Sequence, residues 1–263
     1  MLKRELKINK NSLIIWTSIS LMLLLFAYII YNNMMNSKNL EALNEMLKVM
    51  PEELLKMFNM DIVGIDTVFG WFKTEGYIFI ALFTCLYSAI LGSHILLKEE
   101  SDKTIEFLHS KPITRNNIVT AKILAGLINI GIMFFIITIF NVTALSFYDN
   151  TDTKLFLILT IAPILSALPF FFITLFISTF FKKTSKTNGI GIGLVLINYF
   201  ILMIANISEQ TKFIKYFSIF SLSDSREIIL NNNLSPISII ISILISIIAA
   251  FGIYYRYNKK DLV

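Results

Sequence analysis

A chain of 263 residues that is 56% hydrophobic, 13% aromatic and only 16% charged, with mean hydropathy +0.71, lies outside the soluble globular class, whose members are nearer about 45–50% apolar and about 25% charged. Disorder is excluded by the same figures, because disordered chains are poor in aliphatic and aromatic residues and this one carries 23 Phe and 10 Tyr. The net charge of +5 gives no support for nucleic-acid binding, which needs a basic patch on a soluble face, so the expected fold class is an all-α polytopic membrane protein.

A membrane-crossing helix needs about 20 mostly apolar residues, because about 30 Å of hydrocarbon is crossed at about 1.5 Å per residue. Six stretches meet this requirement, at about 12–31, 77–97, 118–147, 155–181, 189–207 and 237–255, and together they make one transmembrane domain over 1–263. The first follows Lys3, Arg4, Lys7 and Lys10 and so begins like a signal peptide. It lacks a small-x-small cleavage site and runs for a full membrane thickness, which makes it an uncleaved first span. In the loop 32–76, Leu40, Leu43 and Leu47 share one helical face and Glu41 and Glu45 another, the pattern of an interfacial helix. Trp16, Trp71, Tyr77, Tyr254, Tyr255 and Tyr257 flank the apolar runs as interface anchors. Cys85, the only thiol, sits inside the second run and has no partner for a disulfide.

The third and fourth runs exceed the minimum, so each should tilt, protrude or break; Pro163 and Pro169 each remove a backbone donor and invite a kink. Gly189, Gly191 and Gly193 alternate in the fifth run and point to close helix packing or local flexibility, since the dinucleotide-binding pattern is absent. The loop 208–236 should contain a short helix from about 223 to 230, capped by Ser223 or Asp224.

Charge sets the orientation. Fifteen of the 23 Lys and Arg fall in the first ten residues, 98–122, 182–186 and 256–260, while twelve of the 18 acidic residues fall in the other loops. By the positive-inside bias, both termini are expected in the cytoplasm.

Catalysis or ion coupling in a membrane protein leaves ionisable residues at depth, because proton relays and metal sites need them. Here the six runs hold no Asp, Glu, Lys or Arg apart from Lys122, and His94 is the other titratable candidate. Asn129, Asn141 and Asn198 are polar and within spans, where interhelical hydrogen bonds account for them. No phosphate-binding Gly-x-x-x-x-Gly-Lys-Ser/Thr loop is present. The Glu99-Glu100 pair resembles the start of the glutamate motif of intramembrane prenyl-protein proteases, but the Arg that should follow and the paired intramembrane His residues are missing. If the chain moves anything uphill, the energy must therefore come from another chain.

The segment 97–122 is the most informative. It continues the second span into a charged helix with Ile105 and Leu108 on one face, stops before Pro112, and restarts with Thr114 as a cap. Such a knob between two reversals is shaped to enter a groove on another protein; the plain alternative is a charged loop that merely connects two spans.

This segment resembles the loop after the second span in permease subunits of the ABC-2 type export family. Glu99 and Glu100 match its charged start, and Thr104, Ile105, Glu106, Leu108, Ser110, Pro112, Arg115 and Lys122 match in order, with Lys103 where Gly is usual. The resemblance implies six spans with a cytoplasmic coupling helix between spans two and three, a second permease copy or a related permease, and two separate ATPase subunits. ATP and Mg would sit on those partners, with no cofactor bound by this chain. ATPase coupling would then rest on Glu99, Glu100, Thr104, Ile105, Glu106, Leu108, Pro112 and Arg115, and a transport path along spans two and five would include Phe79, Phe83, Tyr87, His94 and Tyr199. Phenol-soluble modulin and lantibiotic-immunity exporters are similar in size and plan, so an amphipathic peptide or other hydrophobic cargo is the expected substrate, moved out of the cell through a plasma membrane. The Ile-, Lys- and Asn-rich composition resembles that of proteins from AT-rich bacterial genomes. A membrane scaffold or sensor for cytoplasmic partners, and an ion-coupled transporter, are the rival classes; the missing intramembrane carboxylates count against the second.

Overall fold

The computed structural model describes residues 1–34, 42, 45–58, 60, 68–105, 113–148 and 152–260. Among the described residues there is helix and no strand. In chain order the elements are α1 (Leu2–Met34), α2 (Glu52–Met57), α3 (Val68–Trp71), a π-helical turn (Phe72–Gly76) leading into α4 (Tyr77–Ile95), α5 (Lys98–Ser101), α6 (Arg115–Leu145), α7 (Thr153–Ile161), α8 (Ile164–Ser178), α9 (Thr184–Ala205), two 3-10 turns (Lys212–Phe217 and Ile219–Ser223), α10 (Ser225–Asn231) and α11 (Pro236–Lys259). Six helical units are long and apolar enough to cross a membrane: α1, Phe72–Ile95, α6, the α7–α8 pair over Thr153–Ser178, α9 and α11. The chain is thus an all-α polytopic membrane protein.

The ends of the spans depart from hydropathy alone. Residues 3–10 are Lys, Arg, Glu, Leu, Ile and Asn, mostly strong helix formers, so the basic N-terminal segment is continuous with the first span. At 33 residues, α1 is about 50 Å long and must project beyond about 30 Å of hydrocarbon. The second span begins at Phe72, before Tyr77, because the π-turn carries the helix backwards; the hydroxyl of Thr74 donates to the carbonyls of Gly70 and Trp71, and the indole of Trp71 donates to Ala27 O at 2.9 Å. The amphipathic helix expected from Leu40 falls largely outside the described residues, of which 45–49 are helical.

The fourth span breaks at Pro163, which has no N–H to continue the ladder, while Pro169, equally without a donor, lies within α8. A proline at 169 leaves Leu165 O without its intrahelical partner. The hydroxyl of Ser242 on α11 donates to that carbonyl at 2.7 Å, so a neighbouring span supplies what the proline removed.

Spans two and four form the core. In their most apolar windows 61% and 67% of residues are buried, against 28%, 22% and 22% for spans one, five and six. Their close approach requires Gly92, where a Cβ would overlap Phe171 O and the Thr174 hydroxyl. In the fifth span only Gly191 meets a neighbour closely, Ala89 O of span two; Gly189 and Gly193 face open space. Cys85 is fully buried. Of the three span asparagines, Asn141 joins spans, accepting from Tyr28 Oη at 3.3 Å and donating to Thr160 Oγ1 at 3.4 Å. Asn129 instead donates to Ala125 O in its own helix.

At the end away from the chain termini, the 3-10 turns and α10 fold over the bundle. Ser218 Oγ donates to Asn198 O at 2.6 Å, Ser166 Oγ donates to Ile219 O at 2.9 Å, and the buried ring of Phe220 lies between Phe170 and Tyr199. Tyr77 is buried here, its hydroxyl donating to Ser223 O, so it closes the cap and does not serve as the interface anchor expected of it. Asp224 is the cap of α10, accepting from Arg226 N at 3.0 Å, and the helix begins just after it.

Candidate functional site

Span two ends at Ile95, and the backbone continues through α5 into a tight turn. Thr104 N donates to Glu99 O at 2.8 Å, and Lys103 adopts the left-handed conformation with φ 56°. That geometry is the reason glycine suits this position, because a Cβ is disfavoured there. Ile105, the last described residue of the segment, is buried in this chain's own core. Residues 106–112 lie outside the described residues, so Glu106, Leu108 and Pro112 of the expected coupling helix do too. The chain re-enters at Thr114, whose hydroxyl accepts from Asn117 N at 3.3 Å and caps α6 as expected.

Beneath this loop lies a cluster of buried charges. Lys122, 1% exposed, directs its ammonium to Glu99 Oε2 at 2.7 Å, Ile95 O at 2.5 Å and Glu5 Oε2 at 3.4 Å. Three donors meet three acceptors, the full capacity of an ammonium. Arg4 approaches the other oxygen of Glu99 at 3.9 Å. Glu100 pairs with Lys260 at 2.5 Å, and the same ammonium donates to Phe181 O at 2.6 Å. Arg115 donates to the carbonyls of Tyr257, Asn258 and Lys260, at 3.3, 2.9 and 2.9 Å. A cation placed there satisfies the free carbonyls at the C-terminal end of α11.

Neutral contacts extend the set to span five. Ser93 Oγ donates to Asn188 Oδ1 at 2.8 Å, Thr187 Oγ1 donates to Ser93 O at 3.1 Å, and Ser101 and Thr184 hydroxyls lie 3.3 Å apart. Every one of the six spans therefore has a residue at this end bonded, directly or through one neighbour, to the segment 93–104 or to the start of α6.

The electrostatics are costly by design of the burial. Two carboxylates and one ammonium withdrawn from water are held by mutual contact, by Ile95 O and by the more distant Arg4, and Glu5 Oε1, Glu99 Oε1 and Glu100 Oε1 accept no hydrogen bond. Removing Lys122 leaves two buried carboxylates without the cation they share.

Of the residues expected to matter, Glu99, Glu100, Thr104, Ile105 and Arg115 are thus gathered at one end, together with Lys122. Their side chains are engaged within the chain: Ile105 is buried and does not stand free on an exposed face, and Arg115 is committed to the last helix. The expected transport-path residues are not gathered. Phe83 and Tyr87 pack on Trp16 of span one, with ring centroids 6.3 and 6.5 Å away, whereas Tyr199 packs on Phe220 of the cap. Phe79 and His94 are half-buried, His94 in the last turn of span two. Tyr87 is wholly buried with a hydroxyl that has no hydrogen-bond partner. Glu5 and Lys260 escaped the sequence reading. The signal for Glu5 was its being the one acid before the first span; for Lys260 there was none, as it is one of three basic residues in a terminal cluster.

No curated protein and no solved structure matches this chain. Over residues 1–262 it matches the family model described as ABC-2 family transporter protein. A match of that extent, over a six-span bundle whose charged loop carries the family's sequence pattern, places the chain in the ABC-2 family of transporter proteins.

Proposed function

We propose that this chain is the membrane subunit of an ATP-driven exporter, with its termini and the segment 98–114 in the cytoplasm, acting with two ATPase subunits and a second permease copy. ATP and Mg belong to the ATPase partners. The observation that carries the reading is the buried charge cluster at the root of the loop, which links an exposed reversal to the ends of all six spans. A push from a nucleotide-driven partner on that loop moves a rigid, ion-paired base and not a flexible tether, and so reaches the bundle. The favoured cargo is an amphipathic peptide: the described interior offers aromatic and aliphatic surface with few charges, which binds by area.

Affinity purification of the chain from its native membrane is the first test, with a Walker-motif ATPase as the expected partner. In the reconstituted complex, Glu100→Gln should lower cargo-stimulated ATP hydrolysis severalfold while basal hydrolysis and complex recovery change little, because the Lys260 pair transmits motion without forming the partner interface. Absence of any ATPase partner, or equal loss of basal and stimulated turnover, would remove the coupling reading.

A further inference from the structure

Between α1 and α6, at the end away from the termini, lies a groove of about 480 Å³, within the size range of sites that hold ligands. Its walls are Leu25, Phe140, Ala144 and Phe147, and the ring of Tyr28 backs it, with centroids 6.4 Å from both Phe140 and Tyr148. The rim is open: Leu25 is 50% and Phe147 81% exposed. From Leu25 to Asn32 the first helix rises about 10 Å, which is about two thirds of the hydrocarbon depth of one leaflet.

The three hydroxyls lining this groove are already satisfied by the protein. Tyr28 Oη donates to Asn141 Oδ1, Thr143 Oγ1 donates to Ile139 O at 2.8 Å, and Tyr148 Oη donates to Asn32 Oδ1 at 2.9 Å. An occupant therefore finds area and no hydrogen-bond partner until it reaches the Asn32–Tyr148 pair at the rim. Water is disfavoured in such a site, and a loop of polypeptide would bring unpaired backbone groups into hydrocarbon at a cost of several kcal/mol each. A saturated chain has neither liability, and it is what the surrounding solvent supplies.

We propose that this groove binds one acyl chain of a phospholipid from the leaflet facing away from the chain termini, with its headgroup at the level of Asn32 and Tyr148. The site depends on the membrane embedding alone and not on the export reading.

The test uses the full chain in lipid nanodiscs that contain a phospholipid with a diazirine on one acyl chain, followed by peptide mapping after illumination. Label in peptides covering 24–33 and 140–148 should exceed that on the lipid-facing surface of α11 around Ile240 and Ile247 by about fivefold, the ratio given by about 1 kcal/mol of preference. Ala144→Trp fills the groove and should reduce the excess to background. Phe147→Ala, at a side chain too exposed to support the fold, should reduce it as well, and so keeps the test sound if the tryptophan variant misfolds. Equal label on the groove and on α11, or an excess indifferent to both substitutions, overturns the proposal. So does cross-linking of the groove to a second copy or to residues 35–41, or displacement of the label by an amphipathic peptide. None of these failures bears on ATPase partnership, which the experiment does not require.

Discussion

Lys122 carries a full charge to a depth where charge is expensive, and it is tolerated because three acceptors converge on it. Lys122→Met should cost about 3–5 kcal/mol, since Glu5 would remain buried and unpaired and Glu99 would keep only the half-exposed Arg4 at 3.9 Å; denaturant or thermal unfolding in detergent measures it. Adding Glu5→Gln and Glu99→Gln should return most of that loss, and failure to do so would mean that packing and not charge is the source. Lys103 makes the opposite case, a residue that a better one could replace. Its φ of 56° is a conformation that costs a side-chain-bearing residue about 1–2 kcal/mol, so Lys103→Gly should stabilise the turn by up to about 1 kcal/mol after the glycine's extra chain entropy is subtracted. A Tm that falls instead would show that the lysine side chain contributes more than its backbone costs. Lys122 was legible in the sequence as the one charge inside an apolar run. Its partner Glu5 was not, because a contact across 117 residues leaves no local pattern, and because the first helix starts well before its apolar stretch.

At the level of elements, hydropathy located the six spans but not their joints. The split of span four was legible from Pro163; the repair of Pro169 by Ser242 was not, since a lone serine in an apolar run carries no sign of the carbonyl it will meet. Ser242→Ala should destabilise by about 1–3 kcal/mol, the cost of an unsatisfied buried acceptor, and should become close to neutral in a Pro169→Ala background where Leu165 O regains an intrahelical donor. Equal costs in both backgrounds would detach Ser242 from the proline. The cap element adds a pH dependence. Burial pushes the Asp224 carboxyl up to about 6 from its ordinary 3.8, against the pull of its bond from Arg226 N, with Glu227 adding repulsion and Lys215 and Arg226 opposing. Because the folded-state value is the higher one, the folded protein holds the proton more tightly. The stability this confers is complete below about pH 4 and is lost as pH rises through about 6. The chain should therefore melt at higher temperature at pH 5 than at pH 7.5, and Asp224→Asn, which can still cap α10, should flatten the difference. A profile unchanged by that substitution would assign the dependence to another group.

For the whole molecule, the charge asymmetry in sequence and the clustering of ends in space describe one arrangement. The first helix, the segment after span two, the turn after span four and the end of α11 meet through Lys122, Glu100, Lys260 and Arg115, while the cap formed by the 3-10 turns and α10 closes the other end. An even number of crossings follows from the shared end of the two termini, and the excess of Lys and Arg there selects the cytoplasm for it. Cysteine labelling in intact cells tests that assignment cleanly, because the native Cys85 is fully buried and contributes no background. Ser185 lies in the first turn of α9 and Gln210 five residues past its last residue, both exposed, so one helix length separates the two reporters. A membrane-impermeant maleimide should label Gln210→Cys from outside, and Ser185→Cys only after permeabilisation. The reverse pattern would invert the molecule and place the charge cluster outside, where no nucleotide-driven partner could reach it. Label on both from outside would break the six-span arrangement itself, since α9 could then no longer cross the membrane between them.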